Sequence, residues 1–228
     1  MKICGLQKLT LLDFPGRIAC TVFLGGCNFR CPFCHNASLV LPERVEELMS
    51  EEDFFAFLTS RRGKLDGVCI SGGEPTVWAD LTDFIRRIRD MGFAVKLDTN
   101  GTSPALLSSL VSEGLVDYVA MDIKSSPEGY PMAVGRESFD ISPILESAAY
   151  LMSCGVDFEF RTTLVKELHT ADHIEKIGKW LAGDEKFYLQ GFVDSGDLIG
   201  EGCSAFSPEE AKELEGILRR HVPGAQLR

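Results

Sequence analysis

Six times between Ile18 and Phe192, a short run of β-branched and aromatic residues gives way to an amphipathic helical stretch. The strand candidates are IACTVFL from Ile18, GVCIS from Gly67, AVKLDTN from Ala94, DYVAMDI from Asp117, DFEFRTTL from Asp157 and KFYLQGF from Lys186. Strands separated by helices pair in parallel through right-handed crossovers. A closed barrel needs eight such units. Six leave it open, so the expected fold is α/β, an open partial (β/α)6 barrel, with a flat doubly wound sheet as the alternative. In both, ligands bind at the C-terminal ends of the strands. No linker or low-complexity tract interrupts the pattern, and residues 1–228 read as one domain.

The helix ends are legible. Ser50 precedes EEDFFAFL as an N-cap with acidic residues in the first turn. Leu81, Phe84, Ile85 and Ile88 share one apolar face, and Gly92 stops that helix. Ser103-Pro104 and Ser207-Pro208 each put proline at a first helical position. Ile174, Ile177, Trp180 and Leu181 form a further packing stripe.

The net charge is −11, from 34 acidic and 23 basic residues, and the basic ones are scattered. A nucleic-acid partner needs a concentrated cationic surface, so none is expected. No apolar run approaches the roughly 20 residues that cross a bilayer, and the first residues lack a leader pattern. The expectation is a cytoplasmic protein without membrane contact. In that compartment eight cysteines read as ligands, catalysts or buried thiols, not disulfides. Cys4, Cys20, Cys69, Cys154 and Cys203 are far apart and read as small buried hydrophobes.

Cys27, Cys31 and Cys34 are different. They cluster in CNFRCPFC directly after the first predicted strand, which places them at the functional end. Three thiolates can bind three irons of a 4Fe-4S cube and leave the fourth iron open to an outside ligand. The amine and carboxylate of a methionine moiety suit that open iron, and one electron then breaks the adjacent sulfonium C–S bond. A zinc loop on Cys31 and Cys34 with Cys27 and His35 is the competing reading, though no second ligand pair exists elsewhere.

C-x3-C-x2-C after a first strand, with Phe33 just before the last cysteine, resembles the signature of the radical S-adenosylmethionine (radical SAM) superfamily. LTLLDFPGRIACTVFLGGCNFRCPFCHN is more specific. It resembles the activating proteins of anaerobic ribonucleoside-triphosphate reductases and, more broadly, the glycyl-radical-enzyme activases. The resemblance implies a 4Fe-4S cluster and S-adenosylmethionine as cofactors. It also implies a glycyl-radical enzyme as partner (the large subunit of the anaerobic ribonucleotide reductase) and a one-electron donor such as flavodoxin or ferredoxin. Other radical SAM substrates and a non-enzymatic redox-sensing module are the alternatives.

The remaining site candidates sit at strand ends. In SGGEP, paired glycines let the backbone bend and approach a ligand, and Glu74 or nearby carbonyls can accept from an ammonium group. The resemblance assigns Gly72, Gly73 and Glu74 to the methionyl amine. In LDTNG, Asp98 and Asn100 lie two apart and share a face; the resemblance implies cofactor contacts by Asp98, Thr99 and Asn100. Asp122 and Lys124 in MDIK match an Asp-x-Lys that such activases carry beside the cofactor. Arg161 suits the methionyl carboxylate, Gln190 the adenosyl side, and Phe33 and His35 complete the cofactor set that the resemblance implies.

In DFPGR, Asp13 and Arg17 are candidate substrate-binding residues, able to grip an extended backbone. Covering the bottom of the barrel is the alternative. His169 and His173 read as an exposed helix face, and Glu43, Glu46 and Glu47 as a solvated one. No residue is needed as a general base, because hydrogen-atom transfer moves proton and electron together.

Overall fold

The computed structural model describes residues 1–228. Eight strands form one sheet in chain order: β1 (Ile3–Thr10), β2 (Ala19–Leu24), β3 (Gly67–Gly72), β4 (Ala94–Thr99), β5 (Tyr118–Asp122), β6 (Asp157–Leu164), β7 (Phe187–Gly191) and β8 (Gln226–Leu227). β1 runs antiparallel to β2 and every other pair is parallel. β1 and β8 do not pair, so the sheet stays open, as the unit count predicts. The six expected strands are β2 to β7. The two edge strands lack a signal: ICGLQKLT shows no clean alternation, and β8 is two residues long.

Helices α1 (Ala37–Val40), α2 (Glu51–Arg61), α3 (Leu81–Asp90), α4 (Pro104–Ser112), α5 (Tyr130–Ala133), α6 (Ser142–Cys154), α7 (Ala171–Trp180) and α8 (Pro208–Leu218) fill the connections. Their ends follow local chemistry. The Ser50 side chain accepts a hydrogen bond from Asp53 N at the start of α2. Ser207 and Glu210 form a capping box around Pro208 in α8. Each such cap stabilises its helix by about 1 kcal/mol. No helix is long and apolar enough to cross a membrane.

The core lies between the sheet and the helices. Val22 and Leu24, Val68 and Ile70, Val95 and Leu97, Val119 and Met121, and Phe160 and Leu164 point into it from successive strands. Buried aliphatic side chains of this kind each contribute roughly 1.5–3 kcal/mol. Because side chains alternate along a strand, the residues between them face the concave side. There the sequence turns polar: Lys96 and Asp98, Asp122, Arg161 and Thr163, and Gln190. Strands buried by helices on both faces carry nearly continuous apolar runs. This alternation reserves one face for chemistry.

One expectation changes. His169 is buried and precedes α7, so it is not on an exposed face. Its Nδ1 accepts from Val165 N at 3.0 Å, which leaves Nε2–H to donate to Lys124 O at 2.9 Å. His173 is part of the capping box at the start of α7. The DFPGR segment enters from the N-terminal end of β2. Thr10 pairs with Ala19 at the N-terminal end of β2, whereas the cysteines follow Leu24 at its other end, about 17 Å along the strand. Phe14 is buried against Ala19, Ala94 and Tyr118, and Asp13 Oδ2 accepts from Thr21 Oγ1 at 2.5 Å. Phe14 thus packs at the bottom of the sheet, while Asp13 reaches Thr21 on its concave side.

Candidate active site

A cavity of about 270 Å³ opens at the C-terminal ends of the parallel strands. Cys27, Cys31, Phe33, Cys34 and His35 line it from the loop after β2, and Gly72 and Gly73 from the end of β3. Asp98, Thr99 and Asn100 enter from β4, Asp122 and Lys124 from β5, Arg161 from β6 and Gln190 from β7. Of the residues expected from sequence, only Glu74, Asp13 and Arg17 are absent. Ser71, Thr163 and Phe29 also line the cavity and were not anticipated, since single hydroxyls and a loop phenylalanine carry no pattern.

Glu74 is fully buried behind the wall. Its Oε1 accepts from Thr76 N at 3.1 Å, Thr76 Oγ1 at 2.6 Å and Thr99 Oγ1 at 2.8 Å, and its Oε2 accepts from Asn100 N at 2.5 Å. Those donors occupy the carboxylate, so it ties the β3 loop to the β4 loop and does not face a ligand amine. Burial raises its pKa against those four hydrogen bonds.

Gly72, at φ +119°, and Gly73 fit against the β2 loop so closely that a Cβ on either would collide with the backbone of Leu24 or Gly26. Gly73 N donates to Leu24 O and Glu74 N to Gly26 O, both at 2.8 Å. The two glycines therefore seat the β3 loop beneath the cysteine loop. Asn100 Nδ2 donates to Asn28 Oδ1 at 2.8 Å, which joins the β4 loop to the same element.

The floor is a chain of charges. Lys96 pairs with Asp98; Ser71 Oγ donates to Asp98 Oδ2 at 3.0 Å, and Arg161 Nη1 lies 3.4 Å from that oxygen. Arg161 Nε donates to Asp122 Oδ1 at 2.9 Å, and Lys124 Nζ to Asp122 Oδ2 at 2.9 Å. Lys124 Nζ also stands 6.0 Å from the centre of the Phe33 ring. Burial alone would raise both carboxyls. Arg161 and Lys96 around Asp98, and Lys124 and Arg161 around Asp122, instead hold them below the usual carboxylate range. Three cations face two carboxylates, which leaves one positive charge for an anionic ligand group.

All eight cysteines are free thiols. Burial pushes Cys27 up to about 11 and Cys31 up to about 12, so binding a metal must displace their protons. No three or more His, Cys, Asp or Glu side chains gather closely enough to hold a single metal ion, so the zinc alternative has no ready-made site. Three free thiols from one loop that line one cavity fit a four-iron cube, where each thiolate takes its own iron. Of the other cysteines, Cys4, Cys20 and Cys69 are buried, and Cys154 and Cys203 are half-buried.

An open, mostly parallel α/β sheet with this cysteine loop at its C-terminal edge defines the class. Residues 21–181 match the Radical SAM superfamily, and the chain belongs to it. Within that superfamily it is 32% identical to a candidate glycyl-radical enzyme activating enzyme of Methanocaldococcus jannaschii, over 99% of this chain and 95% of that one. It is 27% identical to the pyruvate formate-lyase-activating enzyme of Clostridium pasteurianum, over 96% and 97%. The fold is shared with Streptococcus suis SuiB bound to S-adenosylmethionine, at a TM-score of 0.67 and 13% identity, over 91% of this chain and 51% of that one. The chain is a radical SAM enzyme of the kind grouped with glycyl-radical-enzyme activases.

Proposed function

We propose that this enzyme installs a glycyl radical on an anaerobic ribonucleoside-triphosphate reductase. The observation that carries the chemistry is that three free thiols and a chain of four half-buried charges, Asp98, Arg161, Asp122 and Lys124, line one open cavity. Cys27, Cys31 and Cys34 hold a 4Fe-4S cluster, and S-adenosylmethionine occupies the rest. When bound, the reduced cluster supplies the electron that breaks a sulfonium C–S bond, giving a carbon radical able to take a hydrogen atom from glycine.

The chain's own residues orient and shield. The surplus positive charge of Lys124 and Arg161 receives the methionyl carboxylate, and the backbone at Gly72 and Gly73 receives the amine. Asp98 and Asp122 aim those two cations. Thr99 and Asn100 are engaged by Glu74, Asn28 and Thr102, so they contribute by holding the wall in place. Gln190 sides with the adenosyl group, and Phe33 and His35 cover the cysteine loop. A flavodoxin or ferredoxin supplies the electron. Full-length similarity to the two activating enzymes supports a glycyl-radical partner, and the run from Leu9 to Asn36 favours the reductase.

The test is quantitative electron paramagnetic resonance on the reductase, incubated anaerobically with this protein, reductant and S-adenosylmethionine. A glycyl doublet that depends on this protein is expected. Cofactor cleavage without a doublet would assign a different partner.

A further inference from the structure

Three consecutive carbonyls of the cysteine loop accept hydrogen bonds from two guanidinium groups. Arg30 Nη1 donates to Cys27 O at 2.8 Å and to Phe29 O at 2.6 Å. Arg136 Nη2 donates to Asn28 O, between them, at 2.7 Å. Arg136 arrives from the segment after α5, and that segment is fitted to the same loop at three further points. Arg30 N donates to Val134 O at 3.1 Å. Gly135, at φ +69°, lies so close that a Cβ would collide with the carbonyl of Arg30. Phe139 meets Phe29 edge to face, with ring centres 5.3 Å apart.

The stretch from Cys27 to Cys31 has no regular secondary structure to fix it. A loop of that kind opens readily unless its polar backbone groups are held. Hydrogen bonds from charged donors are stronger than neutral ones, and arginine keeps its charge at any working pH. Neither arginine lines the cavity, so neither is placed to touch cofactor or substrate.

We infer that Arg30 and Arg136 are positioning residues: a guanidinium clamp that fixes the cysteine loop in its ligand-bearing shape and keeps two positive charges against it. This rests on the reading that the loop holds a cluster. A cluster that gains an electron gains negative charge, so nearby positive charge favours its reduced state. The clamp therefore acts twice, on loop order and on reduction potential.

The test uses Arg136→Gln, Arg136→Lys and Arg30→Gln in the full-length protein. Arg136 is exposed, so its replacement leaves the core intact even if Arg30→Gln proves poorly folded. In metal-free protein, hydrogen exchange of the amides from Asn28 to Cys31 should quicken about tenfold in Arg136→Gln, as expected for losing a charged hydrogen bond, while α7 keeps wild-type exchange. After anaerobic reconstitution, the midpoint potential should move to more negative values in Arg136→Gln and stay near wild type in Arg136→Lys. Wild-type loop exchange in Arg136→Gln overturns the clamp. A wild-type potential in that variant overturns its electrostatic action. If wild-type protein assembles no cluster, the cysteine assignment falls, and the exchange measurement still decides whether the clamp exists.

Discussion

Lys96 and Asp98, two residues apart on β4, form an ion pair on the concave side of the sheet, with the lysine 1% exposed. The pair closes the charge chain from below: Asp98 meets Arg161, Arg161 meets Asp122, and Asp122 meets Lys124 beneath the cysteine loop. Stranding one charge of a buried pair costs about 3–5 kcal/mol, and Asp98 keeps Arg161 and Ser71 when Lys96 is removed. Lys96→Met should therefore lower unfolding stability in urea titration by less than that amount, and adding Asp98→Asn should restore part of it. A single variant as stable as wild type would show that the pair is not closed from water.

Glu74 belongs to the frame. Glu74→Ala leaves two amides and two hydroxyls without their acceptor, and each unsatisfied buried group costs about 1–3 kcal/mol. The variant should unfold at distinctly lower urea than wild type, in metal-free protein and with no cofactor present. Wild-type stability with selective loss of cofactor affinity would return Glu74 to the role of a ligand contact.

The depressed carboxyls of Asp98 and Asp122 set an acid limit. A carboxyl held below its unfolded value binds fewer protons in the folded protein. Its contribution is complete above the unfolded value of about 4 and is lost as pH falls through the folded one. Melting of the metal-free protein should show little effect from these groups between neutrality and about pH 5, then a fall below about pH 4 that Asp122→Asn makes shallower. An acid limb of equal slope in that variant would contradict the assignment.

Arg161 and the methionyl carboxylate give a direct binding test. Arg161→Ala should retain the cluster and weaken S-adenosylmethionine binding about tenfold to a hundredfold, the loss expected for one charged hydrogen-bond partner. Titration calorimetry of reconstituted protein reads this. Unchanged affinity would remove Arg161 from the carboxylate site.

Much of the site is legible in the sequence. The cysteine spacing, and the polar residues at the ends of β4 to β7, identify the wall of the cavity because strand periodicity and chain order decide which residues share a face. Glu74 reads as a ligand contact in sequence for a simple reason. A polar residue in a loop next to a strand looks the same in sequence whether it faces a ligand or another loop. Lys96 gives no signal in sequence because it sits mid-strand between Val95 and Leu97, where a lysine alone does not reveal the carboxylate beside it. Arg30 and Arg136 are 106 residues apart, and only the fold brings them to one loop.

The central claim is that Cys27, Cys31 and Cys34 hold a reducible cluster beside bound S-adenosylmethionine. The direct measurement is 5′-deoxyadenosine formed by anaerobically reconstituted, dithionite-reduced protein, read by chromatography beside iron and sulfide content. Wild-type protein and Cys203→Ala should bind four irons and cleave the cofactor, whereas Cys27→Ala, Cys31→Ala and Cys34→Ala should do neither stably. Cleavage by Cys31→Ala with a full four-iron complement would contradict the account.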